Sequence, residues 1–195
     1  VYAESFPFSY RHMKDGMLNL TDTKGNVYII RNGYGVTVEK KSQTSPSDTK
    51  KKTGTGNFIT AYIDHGTSPQ NASYEYLMLV RPSSKDEGRF AKKLPYTVIQ
   101  ADNQAHVVRD DITGITAYIS YGGYASAETL VAGAEPETIV MERTRDDGKV
   151  VMSVCTPDLG ITEKGYTTTQ QSQKILKKVI LKGTWSLSSP SENVD

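Results

Sequence analysis

The feature that most constrains the fold of this chain is the period of its hydrophobic residues, which is short and mostly two. Apolar and polar residues alternate over short runs rich in aromatic and β-branched side chains, and Gly, Pro, Asn and Asp punctuate the runs. Successive side chains of a β-strand point to opposite faces, so this alternation predicts strands that bury one face. We therefore expect an all-β fold of antiparallel strands.

The pattern predicts nine strands, and a tenth run, 174–182, is ambiguous between a helical stripe and a strand, of which we favour the strand. The nine are 26–31, 35–41, 57–64, 73–80, 96–100, 105–109, 115–121, 138–143 and 149–156. Asn32-Gly33 predicts a hairpin between the first two, and residues 145–148 predict another between the last two. The five runs that follow residue 95 are expected to form one sheet.

Polar segments divide the chain. Residues 44–56 are rich in Ser, Thr, Lys and Gly and predict an exposed, mobile loop, and residues 160–173 predict a second, Thr/Gln-rich loop. The charged stretch 82–94 is the best candidate for a connector between two β modules. We expect modules at 1–81 and 95–195.

Composition excludes several classes of function. The 195 residues hold 23 Lys+Arg against 22 Asp+Glu, a net charge of +1 that provides no global field for nucleic acid. No apolar run approaches the ~20 residues of a membrane-spanning helix. The single cysteine, Cys155, excludes an internal disulfide framework. The chain begins at Val1 with no visible export signal, which suggests a processed or excised piece.

We expect neither a metal nor another cofactor. His12 and His106 have no partners at metal-ligand spacing. The Gly54-Thr55-Gly56 triplet lacks the remaining glycine of a dinucleotide fingerprint, and no Walker lysine follows it. Cys155 lies in a predicted strand, where a small buried hydrophobe is favoured over a nucleophile.

Two short motifs carry groups capable of acid–base or sugar chemistry. In Asp64-His65-Gly66 a carboxylate beside an imidazole could orient a general base, although a strand end stabilised by a turn is the favoured interpretation. Tyr74 and Tyr76 are expected on one strand face and Glu75 on the other. They could form a sugar-stacking platform or half of an acid–base pair, whereas sheet packing remains the simpler role.

The one concentrated basic patch is Lys50, Lys51 and Lys52, with Lys40 and Lys41 nearby. Ammonium groups on a flexible loop could bind the sulfate or carboxylate groups of a polysaccharide. These three lysines are our candidate substrate-binding residues, against the alternative of a solvated loop.

Several segments taken together resemble a known family. They are the NVYII run at 26–30, the stretch GNFITAYIDHGTSPQNASYEYLMLV at 56–80, YTVIQADNQAHVVRD at 96–110 and VVMSVCTPDLG at 150–160. Their order and spacing resemble the C-terminal β region of the polysaccharide lyases that degrade chondroitin, dermatan and hyaluronan, above all the chondroitin ABC lyases. Residues 61–66 followed by 72–76 are the most specific part of the resemblance.

The resemblance implies a secreted or periplasmic bacterial enzyme with a helical toroid followed by antiparallel β-sandwich modules. On that architecture, 1–81 would end the central sandwich and 95–195 would form a smaller C-terminal sandwich. The family cleaves by β-elimination with a Tyr/His pair and charge-stabilising Arg and Asn or Glu residues. No segment here matches those catalytic motifs, so no catalytic residue is carried over, and the chain is expected to be inactive alone.

The leading hypothesis is therefore a non-catalytic β-sandwich portion of a glycosaminoglycan lyase that supports the substrate cleft. Its expected partners are an acidic polysaccharide and the upstream toroid and sandwich of the same enzyme, with no nucleic acid and no membrane. The alternative is a stand-alone carbohydrate-binding module for acidic polysaccharide, which would use the Lys50–Lys52 loop and exposed tyrosines. A third hypothesis is a small hydrolase or lyase that uses Asp64 and His65.

Overall fold

A computed structural model describes residues 6–13, 16–31, 35–46, 53–157 and 175–188. The chain divides into two compact units, Val1–Leu94 and Pro95–Asp195. Both are built from antiparallel β-sheets, so the predicted all-β fold is confirmed. The predicted module boundaries at 1–81 and 95–195 stay predictions.

In its described residues, the first unit contains two three-stranded sheets and one helix. Its strands are β1 (Phe8–His12), β2 (Leu18–Thr21), β3 (Val27–Ile30), β4 (Gly35–Pro46), β5 (Thr53–Asp64) and β6 (Tyr76–Leu79), followed by α1 (Ser84–Phe90). The first sheet has the order β1-β4-β5 and the second the order β2-β3-β6. The predicted strands 57–64 and 73–80 correspond to β5 and β6.

The second sheet is apolar on both faces because it lies between the first sheet and helix α1. Leu18 and Ile30 on one face pack against Val36 and Val38 of the first sheet. On the other face, Ile29 packs with Val27 against Phe90 of α1. Ile29 and Ile30 are neighbours in the chain but point in opposite directions, as strand geometry requires.

Helix α1 lies inside the segment 82–94 that the sequence marked as a connector. The Oγ of Ser83 accepts a hydrogen bond from the backbone N–H of Asp86 at 3.1 Å and caps the helix. Asp86 and Glu87 lie in the first turn, where acidic side chains interact favourably with the helix dipole. Phe90, at the other end, is the buried residue that anchors the helix to the second sheet.

The turn between β2 and β3 is organised by Asp22. Its Oδ1 accepts hydrogen bonds from the backbone N–H groups of Lys24 at 2.8 Å and Asn26 at 2.9 Å, and its Oδ2 accepts one from the Asn26 side chain. The hydrogen bond from the Asn26 side chain, with those from the backbone, lowers the pKa of Asp22. Gly25 takes φ +82°, the left-handed conformation that glycine adopts without strain.

The predicted hairpin between 26–31 and 35–41 is wrong. β3 pairs with β2 and β6, whereas β4 pairs with β1 and β5. The two runs lie in different sheets instead, and Ile30 and Val36 pack in the same core cluster between those sheets. Asn32-Gly33 lies outside the described residues.

The predicted loop at 44–56 is also partly wrong. Thr44 opposes Thr55 and Pro46 opposes Thr53, so the β4–β5 ladder continues into this polar stretch. Backbone hydrogen bonds and the β propensity of threonine sustain the pairing although few of its side chains are buried. Residues 47–52 are outside the described residues.

The described residues of the second unit form a two-sheet sandwich. Its strands are β7 (Tyr96–Ala101), β8 (Ala105–Asp110), β9 (Thr116–Ser120), β10 (Tyr124–Ala125), β11 (Val131–Ala134), β12 (Thr138–Thr144), β13 (Val150–Cys155) and β14 (Val179–Leu181). One sheet has the order β13-β12-β9-β8-β7 and the other the order β10-β11-β14. The five runs predicted to form one sheet do so. The core between the sheets includes Val107, Tyr118, Val131 and Val140.

The predicted hairpin at 145–148 is confirmed. The Arg145 N–H donates to the carbonyl of Lys149 at 2.8 Å, and the Gly148 N–H donates to the carbonyl of Arg145 at 3.0 Å. Gly148 has φ +78°, which explains the glycine at that position. Of the ambiguous run 174–182, the strand is confirmed only for Val179–Leu181. The predicted loop at 160–173 lies outside the described residues.

Candidate functional site

The turn after β5 holds the Asp64-His65-Gly66 triplet. The Oδ1 of Asp64 accepts a hydrogen bond from the Gly66 N–H at 2.8 Å, and Gly66 has φ +74°. The Oδ2 of Asp64 lies 4.0 Å from Nη2 of Arg11. These contacts use the carboxylate to close the turn, which confirms the structural interpretation of Asp64 and Gly66.

An aromatic row continues from this turn. We call His65, Tyr74 and Tyr76 the aromatic row. The ring centroids of His65 and Tyr74 are 6.4 Å apart, as are those of Tyr74 and Tyr76, whose planes differ by 17°. Tyr74 is 67% exposed and Tyr76 52% exposed. The row therefore presents ring surface of the kind that packs against the apolar face of a sugar.

Glu75 behaves differently from its two neighbours. Its carboxylate lies 3.3 Å from Nη1 of Arg31, and its backbone carbonyl accepts a hydrogen bond from the Arg31 N–H at 3.2 Å. β6 begins at Tyr76, where the register pairs it with Ile30, so the predicted strand does not include Tyr74 and Glu75. The two phenol rings stack on each other while the Glu75 carboxylate contacts Arg31.

The predicted basic patch is not a single surface in the described part of the chain. Lys40 opposes Ile59 and Lys41 opposes Phe58, so the two lysines lie on opposite faces of the first sheet. Lys41 pairs with Glu39, and that hydrogen bond raises the pKa of Lys41. Lys50, Lys51 and Lys52, the candidate substrate-binding residues, lie outside the described residues, and their role stays a prediction.

The second unit buries a polar pair that the sequence did not single out. The hydroxyl of fully buried Tyr118 donates a hydrogen bond to Oε1 of Glu142 at 3.4 Å, and Glu142 is 7% exposed. Burial, followed by the nearby Glu142 charge, raises the pKa of Tyr118 to about 12. The sequence feature that indicates the burial of Glu142 is its spacing of two from Val140 and four from Thr138, which places all three side chains on the inner face of β12.

The remaining candidate residues for a nucleophile or a metal ligand are Cys155, His12 and His106. Cys155 is exposed at the end of β13, so the prediction of a small buried hydrophobe is wrong. It lies at the end of an edge strand, where only one neighbouring strand covers it. His12 contacts Tyr10, and His106 packs edge-on against Tyr121 at 5.3 Å. Within the described residues, no three His, Cys, Asp or Glu side chains are grouped to hold a metal ion.

Comparison with curated proteins finds related lyases. The chain is 28% identical over 180 residues to the chondroitin sulfate ABC endolyase of Proteus vulgaris, and 28% identical over 196 residues to the ABC exolyase of the same organism, with 90% of this chain aligned in each case. The ABC exolyase of Bacteroides thetaiotaomicron is 34% identical over 119 residues, or 58% of this chain. The chain is thus similar in sequence to chondroitin sulfate ABC lyases.

The chain spans 17% of the length of the Proteus endolyase, 19% of the Proteus exolyase and 11% of the Bacteroides exolyase. No family model matches the sequence. The resemblance to the lyases, first seen in segments such as 61–66 and 72–76, is thus confirmed by alignments that extend over most of the chain. The regions of these lyases outside the aligned segment are several times longer than the chain itself.

Solved structures of polysaccharide lyases share the fold. A xanthan lyase of Paenibacillus superposes with a TM-score of 0.60 and 19% identity, covering 75% of this chain and 15% of that enzyme. A chondroitinase AC lyase superposes with a TM-score of 0.61 and 18% identity, covering 77% of this chain and 23% of that enzyme. At this identity the comparison establishes the fold. None of the helices in the described ranges is long and apolar enough to cross a membrane.

Proposed function

We propose that this chain is a non-catalytic β-sandwich portion of a glycosaminoglycan lyase and supports the substrate cleft of the larger enzyme. The observation that carries the proposal is its homology to two chondroitin sulfate ABC lyases over 90% of its length. The larger enzyme would cleave chondroitin or dermatan sulfate by β-elimination. Its upstream toroid and sandwich would be the structural partners of this chain.

The contacts of the acid–base residues support a scaffolding role. β-Elimination needs a base for the uronate C5 proton, an acid for the leaving oxygen and groups that stabilise the charge on the carboxylate. Asp64 closes a turn, Glu75 pairs with Arg31, and Tyr118 and Glu142 are buried in a core. In these positions the side chains stabilise strands and turns.

The proposal also includes the cellular location of the enzyme and the ligand of this portion. We place the enzyme outside the cytoplasm of a bacterium, in the periplasm or secreted, because a polymeric acidic sugar is met there. The polysaccharide is the one ligand proposed for this portion, with neither nucleic acid nor a membrane as a partner.

The first experiment assays the purified chain with chondroitin sulfate and follows the ultraviolet absorbance of the unsaturated product. We expect no product. Product formed by the chain alone, and lost in His65→Ala, would overturn the non-catalytic assignment and favour a site built on Asp64 and His65.

The second experiment tests the supporting role by replacing the homologous segment of the Proteus vulgaris endolyase with this chain. We expect the hybrid to keep lyase activity, and we expect His65→Ala within the graft to leave its kcat unchanged. A folded hybrid with no activity would contradict structural equivalence, and a large fall in kcat for His65→Ala would assign a catalytic role instead.

A carbohydrate-binding module is the second candidate function, and the exposed aromatic row favours it. Stacking of tyrosine on sugar is nearly independent of salt, whereas binding by lysines weakens as salt rises. Binding of chondroitin sulfate should therefore be measured at low and high salt for Tyr74→Ala, for the triple Ala variant of Lys50, Lys51 and Lys52, and for Tyr121→Ala as an exposed control. The variant that loses affinity identifies the surface, and no binding at low salt dismisses the module.

A further inference from the structure

β5 is the edge strand of the first sheet, whose order is β1-β4-β5. It is 12 residues long and pairs with β4 through an unbroken register from Pro46↔Thr53 to Gly35↔Asp64. Its other edge has no strand partner among the described residues. A row of backbone N–H and C=O groups about 40 Å long therefore faces outward, at roughly 3.4 Å per residue.

This edge lacks the devices that normally block pairing with another chain. Edge strands are usually protected by lysine, proline, bulges or short length. β5 has the sequence TGTGNFITAYID, with no Lys, Arg or Pro and with its single charge, Asp64, at the very end. Most other edge strands in the described ranges are protected: β1 contains Arg11, β7 has a register shift next to Ile99, and β2, β6, β10 and β14 span four residues or fewer. β13 also lacks Lys, Arg and Pro, but it is half as long as β5 and exposes no aromatic side chain.

Large apolar side chains are exposed along the same edge. Phe58 is 57% exposed and Tyr62 is 42% exposed, and both lie on the outer face of the sheet. Ile59, on the inner face, is 52% exposed. A neighbouring strand would cover all three side chains.

We propose that β5 pairs antiparallel with β5 of a second copy of this chain, which joins two three-stranded sheets into one of six strands. In an antiparallel pair, directly opposed residues lie on the same face of the sheet. A two-fold axis through Thr60 satisfies this rule. It places Phe58 opposite Tyr62 of the partner subunit, and Ile59 opposite Ala61 of the partner subunit.

This register makes the edge complementary to itself. The two aromatic pairs are the cross-strand combinations that stabilise a sheet, and the only charge, Asp64, falls opposite a glycine, Gly56 of the partner subunit. Shifting the axis to Ala61 would set Phe58 against Asp64 of the partner subunit. The proposal is separate from the proposed lyase function, since it rests on the edge of one sheet.

Sedimentation velocity over a wide range of protein concentration tests the dimer. We expect a concentration-dependent dimer for the native chain. The double variant Phe58→Lys with Tyr62→Lys sets like charges opposite each other in the proposed register, which should raise the dimer dissociation constant roughly tenfold or more. Both positions are exposed, so the thermal unfolding of the variant should stay close to that of the native chain.

Charge pairing tests the register itself. A second double variant, Phe58→Glu with Tyr62→Glu, should also be monomeric, and an equimolar mixture of the Lys and Glu variants should dimerise again. Met141→Lys with Val151→Lys, at exposed positions on the second unit, is the matched control and should leave the dimer unchanged. A native chain that is monomeric throughout, or a dimer unaffected by the β5 substitutions, overturns the proposal.

A disulfide provides a measurement that needs no added charge. Thr60→Cys in a Cys155→Ser background should form a covalent dimer on oxidation, because the two Thr60 Cα atoms would lie about 4.5–5.5 Å apart across the axis. Asn57→Cys in the same background should not, since it opposes Ile63 of the partner subunit. Equal crosslinking of the two variants, or none at Thr60, would contradict the register.

Discussion

Tyr118 is fully buried in the core of the second unit, where its ring packs against Tyr124 with centroids 5.4 Å apart. The raised pKa of its hydroxyl means that the native state holds this proton more tightly than the unfolded chain does. The hydrogen bond from that hydroxyl also satisfies one oxygen of the buried Glu142 carboxylate. Removing the hydroxyl leaves that oxygen without this donor in an apolar setting.

The stability of the second unit should therefore fall as pH rises from about 10 to about 12. Above pH 10 the unfolded state loses the Tyr118 proton while the native state, with a pKa of about 12, retains it. The loss should reach roughly 2–3 kcal/mol. Urea unfolding at pH 8 and pH 11 should show about half of this loss, roughly 1.4 kcal/mol, because pH 11 lies midway between the two pKa values. Tyr118→Phe should be about 1–3 kcal/mol less stable at pH 8 and should lose this part of the alkaline decline.

Gly148 offers a second test on a single residue. With φ +78° it closes the β12–β13 hairpin, and an added Cβ would meet no other atom within 4 Å. Gly148→Ala should therefore destabilise the second unit by about 1–2 kcal/mol through backbone strain alone. Asp146→Ala in the same turn is the control, and equal unfolding midpoints for the two variants would contradict the interpretation.

At the scale of elements, local sequence patterns predicted the positions of strands better than they predicted which strands pair with each other. The alternation identified β7, β8, β9, β12 and β13 and the sheet they form, because each is adjacent to the next along the sheet and short turns join all of them except β9 and β12. One of the two partners of β3 is β6, and 45 residues separate Ile30 from its opposed residue Tyr76, a distance over which no local pattern carries information. β1, β2, β10 and β11 were missed, and each of them spans five residues or fewer.

Helix α1 was missed because its sequence, SKDEGRF, is polar except at the end. Its attachment depends on Phe90, which is 8% exposed and packs against Val27 and Ile29. Phe90→Ala should lower the free energy of unfolding of the first unit by about 3–5 kcal/mol, because the truncation leaves a cavity against the second sheet.

Chemical denaturation followed by circular dichroism measures the effect of Phe90→Ala. Lys92→Ala, just beyond the helix, is the matched control and should change stability by less than about 0.5 kcal/mol. If the two variants had the same stability, α1 would not be a structural part of the unit.

At the scale of the molecule, the boundary between Leu94 and Pro95 predicts two modules that fold separately. Residues 95–195 have a core of their own, built from both of their sheets. Produced alone, they should unfold cooperatively, with a midpoint near that of the corresponding transition in the whole chain. A piece with no cooperative transition would show that the second core depends on the first unit.

The candidate site could be predicted only in part. Alternation located the strand that contains Tyr76 but extended it too far toward Tyr74 and Glu75, which precede β6. The separation of Lys40 from Lys41 follows from the same alternation. The exposure of Tyr74 and the burial of Glu142 depend on which layers cover each strand, and that is set by contacts between residues far apart in the chain.

The carboxylate of Asp22 has a consequence for the accuracy of folding. In β3, Val27, Tyr28, Ile29 and Ile30 are apolar on both faces, so a shift of one residue would still bury hydrophobic groups on each side. Burial alone therefore distinguishes poorly between the correct alignment and its nearest error. The hydrogen bonds that Asp22 accepts from Lys24 and Asn26 fix the number of residues in the turn between β2 and β3. A single side chain at the surface therefore selects the correct register of β3, the central strand of its sheet.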